Sequence, residues 1–208
     1  RLGALAEVEA VASPIWHTEV TTGPGETALR YDARREQGQP FGLGVENRLL
    51  RRALLAAFQS VAGPDALIQG QVGGMAREAG CVRLTLADER VLRARLVVAA
   101  DGRGSPMRQM AGLPLDRWRY RQAALAFVIG HAVPHGHGVH EYLRAGGPVA
   151  LLPLPGNRSG VTWVDHAPKI AALQASGRDA ITAELARLLD GRLGEVEIEG
   201  PIGMWQLG

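Results

Sequence analysis

The chain has 208 residues, 46% of them hydrophobic and 21% charged, and a formal net charge of +2. That length suffices for one domain with a core, or for parts of two smaller ones. So small a charge argues against general nucleic-acid binding, which needs a basic face to displace counterions. A single cysteine, Cys81, excludes an internal disulfide and points to a reducing compartment, with the thiol packed in a strand. No apolar run approaches the ~20 residues of a membrane helix, and the opening residues do not read as a signal peptide.

Arg1-Leu2-Gly3-Ala4-Leu5 reads as the end of a helix, and the run 201–208 stops inside a strand pattern, so a fragment is expected. Residues 14–22 and 27–32 alternate like strands, and Gly23-Pro24-Gly25 between them predicts a hairpin. Residues 41–45 read as a loop. A helix is expected from Asn47, with Leu50, Leu54 and Phe58 on one apolar face, Arg48, Arg51 and Arg52 mostly off it, and Gly63-Pro64 as its end. Strands follow at 66–72 and 81–86, with a turn near Gly73-Gly74. Asp88-Glu89 turns the chain toward a strand at 91–99, and the continuous run Leu96–Ala100 predicts a strand buried on both faces. Beyond Pro114 come strands at 122–130, 138–143, 148–154 and 158–164. A helix over 169–190, with Gly177 as its weak point, and a strand over 195–207 complete the chain. Consecutive strands with short turns imply an antiparallel sheet with the helix on one face.

The most informative stretch runs from Leu96 to Arg108. A buried strand would deliver Asp101 to its C-terminal edge, where ligands of α/β sheets bind. Gly102 permits a sharp turn, Ser105 is an N-cap candidate, and Pro106 suits the first helical position. Free N–H groups there would suit an anion, while Asp101 would accept hydrogen bonds from sugar hydroxyls. A dinucleotide fingerprint fails, because Met107 stands where the third glycine belongs. A strand-turn-helix corner with no ligand remains open.

The strand, Asp101-Gly102, Ser105 and Arg108 together resemble the second flavin motif of the aromatic hydroxylases related to p-hydroxybenzoate hydroxylase. The stretch Val45–Leu54 is similar to a helix start of that family, at which a polar or basic side chain, here Asn47 or Arg48, reaches the flavin. Tyr120-x-Gln122, Pro134-His135, Glu141-Tyr142, the run Gly147–Leu154 and Asn157-Arg158-Ser159-x-Val161-x-Trp163 resemble the ubiquinone-biosynthesis group of these enzymes. The family's opening Gly-x-Gly-x-x-Gly turn and closing Gly-Asp motif are missing from these residues.

The resemblance implies the central part of a Rossmann-like FAD-binding domain (1–13 and 33–112) and an antiparallel-sheet substrate domain with a covering helix (14–32 and 113–208). It implies FAD as cofactor, NADPH or NADH as reductant, and a prenylated phenol, hydroxylated with O₂, as substrate. The piece by itself is expected to bind FAD weakly or not at all and to be inactive. A cytoplasmic location is expected, with room for peripheral contact at the inner face of a membrane or within a biosynthetic complex. The implied cofactor contacts are Asp101, Gly102, Asn47, Arg48, Ser105 and Arg108, with Trp163 or Trp205 lining a substrate pocket. No catalytic side chain is assigned, since an electron-rich phenol needs no protein nucleophile. His131, His135, His137 and His140 suggest a metal, yet no cysteine or paired carboxylate completes a set, so a solvated loop is the expectation. A halogenase or prenyl reductase of the same fold, or a non-catalytic lipid-binding or scaffold protein, are the competing functions.

Overall fold

The computed structural model describes residues 3–23, 26–36 and 38–208. Contacts divide the chain into two units, Arg1–Phe58 with Arg119–Gly208, and Gln59–Trp118. The division differs from the expected one because the segment before Phe58 packs with the large sheet. In chain order come α1 (Leu5–Glu9), β1 (Ser13–Ile15), β2 (His17–Gly23), β3 (Glu26–Asp32), α2 (Ala33–Glu36), β4 (Gly42–Gly44) and α3 (Asn47–Ala62). Next are β5 (Val72–Glu78), β6 (Cys81–Leu86), β7 (Val91–Ala94) and α4 (Pro106–Met110). The chain closes with β8 (Gln122–His131), β9 (Gly138–Tyr142), β10 (Val149–Leu154), β11 (Arg158–His166), α5 (Ala167–Ala175), α6 (Arg178–Leu189) and β12 (Val196–Gln206).

The first unit is built on a seven-stranded sheet of order β12-β8-β11-β10-β9-β2-β3. It is antiparallel except where β2 runs parallel to β9. One face carries Leu125, Phe127, Ile129, Val149, Leu151, Val161 and Trp163, which form the core with Ile170 of α5 and Ile181, Leu185 and Leu189 of α6. Alternation along β8 and β11 sends these side chains to the helices and their neighbours to the opposite face. The β2–β3 hairpin forms as expected, although Pro24 and Gly25 of its turn lie outside the described residues, as do Arg1 and Leu2 of the expected helix end.

Several expectations need correction. The segment 42–44 is a strand paired with β1, not a loop. It lies so close to β10 that a Cβ on Gly44 would run into the Pro153 carbonyl. On α3 the buried face is Ala53 with Leu50 and Ala57, which meet Ala4 and Val8; Leu54 and Phe58 are exposed. β5 begins at Val72, and Gly73-Gly74 form a bulge inside it rather than a turn. The expected strand at 96–100 is irregular: no described residue pairs with it, and Leu96 and Val98 are 77% and 79% exposed.

The expected long helix is two, broken at Gly177, whose φ of 87° and ψ of 173° suit only glycine. Gly177→Ala should therefore cost about 1–3 kcal/mol in a urea unfolding titration. A stabilised variant would mean that one continuous helix is equally acceptable.

Candidate functional site

Asp101, Gly102, Ser105 and Arg108 form one corner of the second unit. Gly102 takes φ 86°, and Ser105 caps α4, its Oγ accepting from Arg108 N at 2.9 Å. Asp101 Oδ2 accepts from Met107 N at 3.0 Å. Hydrogen bonds from the Ser105 hydroxyl and Met107 N–H hold the Asp101 carboxyl below its usual range. Two expectations fail here. Asp101 does not stand at a strand end, because 96–100 joins no sheet among the described residues. The helix does not offer free N–H groups to an anion either: Pro106 has none, and those of Met107 and Arg108 are taken. What the corner offers is an exposed, ionised carboxylate with lone pairs to spare for hydroxyl donors.

Asn47 and Arg48 open α3 in the first unit. Both are exposed. Glu46 is the N-cap, its carbonyl accepting from Leu49 N and Leu50 N. Its carboxylate takes a fork from Arg48, Nε to Oε2 at 2.8 Å and Nη2 to Oε1 at 3.2 Å. Arg158 of β11 adds Nη1 to Glu46 Oε1 at 2.9 Å and Nε to Glu199 Oε2 at 2.8 Å. Arg48, then Arg158, keep Glu46 well below the usual carboxylate range despite its partial burial. Glu46, Arg158 and Glu199 escaped the sequence reading of the site. Arg158 was visible only as part of the Asn-Arg-Ser run.

The sheet face away from α5 and α6 carries Ala124, Ala126 and Val128 of β8, Gly160 and Thr162 of β11, and Ala150 and Leu152 of β10, as the register dictates. Trp205 pairs with Ala124 and belongs to this face. Its ring lies over Gly203, where a Cβ would collide with it, and the residue is 50% exposed. A bulge between Glu199 and Gly203 sets its aim, and Arg178 of α6 holds that bulge through the Ile198 and Gly200 carbonyls at 2.6 and 2.7 Å. Trp163 lies on the other face, 2% exposed among the core residues. The expected pocket role of Trp163 is therefore corrected to packing under the helices. The two tryptophans cannot line one cavity.

The histidines are also corrected. His131, His135 and His140 are buried, not solvated. His131 contacts the Val133 carbonyl and Ser159 Oγ, and His135 the Leu154 carbonyl and His137 N. Nitrogens so engaged are not free to ligate a metal. His140 and the buried Glu19 meet two partly exposed arginines: Glu19 lies 2.7 Å from Arg192 and 2.8 Å from Arg30, and Arg192 Nη1 donates to His140 Nδ1 at 2.7 Å. Burial, with Arg192 beside it, pushes His140 down to about 4.

No protein-family model matches the chain. The ubiquinone hydroxylase UbiL of Rhodospirillum rubrum is 35% identical over 91% of this chain and 44% of its own length. The 3-demethoxyubiquinol 3-hydroxylase of Escherichia coli is 30% identical over 86% of this chain and 46% of its own length. The chain is homologous to the ubiquinone-biosynthesis hydroxylases. It spans less than half the length of these relatives. Solved structures agree on the fold: p-nitrophenol 4-monooxygenase PnpA from Pseudomonas putida aligns over 97% of this chain and 53% of its own, with TM-score 0.77 at 15% identity. Klebsiella pneumoniae HpxO, complexed with FAD and uric acid, aligns over 99% of this chain and 56% of its own, with TM-score 0.70 at 18% identity. The fold is that of the flavin-dependent monooxygenases, and among the described residues no helix is long and apolar enough to cross a membrane.

Proposed function

We propose that this chain is part of an FAD-dependent monooxygenase that hydroxylates a prenylated phenol in ubiquinone biosynthesis, with NADPH or NADH as reductant. The observation that carries the reading is the open sheet face, half-exposed and apolar, with small side chains at its centre and Trp205 at one side. Such a surface receives a flat ring and an alkenyl tail at its apolar centre, while the Arg158–Glu199 ion pair and Glu141 share the face away from that centre. The homology to ubiquinone hydroxylases supports the substrate class.

The residues present fit FAD in part. Asp101, ionised and accepting, suits ribityl or ribose hydroxyls. The N–H groups of α4 do not suit its pyrophosphate, because they are already bonded. Asn47 and Arg48 present donors at the start of α3. The bound flavin would carry the reducing equivalents from NADPH or NADH to O₂ and supply the oxygen chemistry. The chain's own part is to orient the ring against Ala124, Ala126 and Gly160 and to keep water from it. A cytoplasmic location, with contact to a membrane that stores the prenylated substrate, goes with this proposal.

The test uses the full-length protein with FAD, NADPH and a prenylated phenol. Phenol-stimulated NADPH oxidation, with label from O₂ in the ring product, is the expected result. A full-length protein that takes up no flavin, or whose oxidation ignores the phenol, overturns the reading. Trp205→Ala should raise KM for the phenol about tenfold, the loss of one stacked ring. Its melting temperature should hardly move, since half the residue is already exposed.

A further inference from the structure

The Asn157-Arg158-Ser159 run takes no part in the proposed chemistry, yet each of its residues is committed. Asn157 donates to the Ala132 carbonyl at 3.2 Å, and Ser159 meets the buried His131. Arg158 spans from the sheet to Glu46, far away in sequence, and to Glu199 on β12. We propose that Arg158 is a positioning residue, which grips the N-cap of α3 and so sets the direction in which Asn47 and Arg48 are presented to the flavin. The inference rests on the reading that one of those two side chains meets the cofactor.

The geometry suits that role. A guanidinium is a rigid plane with donors on more than one edge. Nη1 binds the helix cap and Nε binds the strand, so one rigid group fixes the position of α3's first turn against β11 and β12. Glu46 is shared, since Arg48 forks onto the same carboxylate. Without Arg158, that carboxylate would answer to Arg48 alone. The backbone would stay anchored through Gly44, but the Glu46 side chain would no longer tie the first turn of α3 to the sheet. A lysine has one charged point in place of a plane and cannot hold both carboxylates in this geometry. Arg158 touches neither substrate nor cofactor in this account; it acts through Glu46.

The experiment measures FAD affinity by fluorescence, the visible absorbance band of bound flavin, and the melting temperature, all in the full-length protein. Arg158→Gln and Glu46→Gln should each weaken FAD binding roughly tenfold, the loss of one charge-assisted hydrogen bond's worth of order, and shift the band alike. The double variant should be no worse than either single one, because both lie on one path. Arg158→Lys should recover only part of the loss. Arg187→Gln, which removes a surface pair with Glu184 on α6, should change none of these. A lowered melting temperature with unchanged FAD affinity and band would make Arg158 merely structural and overturn the proposal. Additive losses in the double variant would overturn it too. If Arg158→Gln fails to fold, Glu46→Gln and Glu199→Gln carry the same comparison, and no loss of affinity in either decides against it. The combined Asn47→Ala, Arg48→Ala variant separates the premise from the inference. Unchanged FAD affinity there removes the cofactor role of the α3 start itself, whereas a loss there with none in Arg158→Gln removes only the positioning role.

Discussion

Trp163→Ala should destabilise the protein by about 3–5 kcal/mol, the cost of truncating a large aromatic side chain in a close-packed core. The ring is 2% exposed and sits on β11 beside Val149 and Leu125, under α5 and α6. Arg144 also lies over it, with its guanidinium carbon 5.3 Å from the ring centre. The indole N–H has no hydrogen-bond partner among the described residues. Trp163→Phe removes that unpartnered donor and should cost less than about 1.5 kcal/mol, because the volume is largely kept. Urea unfolding midpoints of the two variants check both numbers. A small loss for Trp163→Ala would contradict the core position and reopen a pocket role.

Stability should also fall as the pH drops from about 6.5 toward 4, and His140 should supply most of that slope. The folded pKa is lowered to about 4, while the unfolded chain keeps a value near ~6.5. Between these two values the unfolded state binds a proton that the folded state refuses, so stability rises with pH across the window and is lost as pH falls through it. The full shift corresponds to about 3 kcal/mol, an upper figure, since part of the group remains solvated. His17, His131 and His137 are lowered chiefly by burial and act in the same direction. Glu19, held down by Arg192 against the opposing effect of its own burial, adds its loss at more acid pH. His140→Gln should flatten the dependence between pH 6.5 and 4 without abolishing it. Chemical denaturation at pH 7.5 and pH 5 measures it, and an unaltered slope would place the titrating group elsewhere.

The sheet was legible in the sequence because its signal is local. β8, β10 and β11 are apolar runs set apart by turns rich in glycine, proline and asparagine, such as Pro155-Gly156-Asn157. The break in the long helix was legible as Gly177, though not its depth. The run 96–100 was misread because a continuous apolar stretch says what a segment would bury, not whether strands lie at its edges. Leu54 and Phe58 obeyed the helical period, yet Leu50, Ala53 and Ala57 took the buried side; the apolar arc is wider than the contact it makes, so period alone does not choose which part of it is buried. The site was less legible for a related reason. Ser105 as a cap and Gly102 as a turn depend on neighbours within a few residues, and both formed. The burial of His131, His135 and His140, and the bridge from Arg158 to Glu46, depend on partners that only the folded sheet brings near. Trp163 and Trp205 both sit in strands, and only the register showed them on opposite faces.

The parallel pairing of β2 with β9 bears on how the protein is made. Both strands of the early hairpin leave the ribosome well before β9 exists, and the whole second unit is synthesised in between. Until then one flank of β2 keeps its backbone donors and acceptors unmet, an invitation to pair with another nascent chain. Closing so long a loop is slow, so growth temperature and expression rate should govern the yield of native protein more than its final stability does.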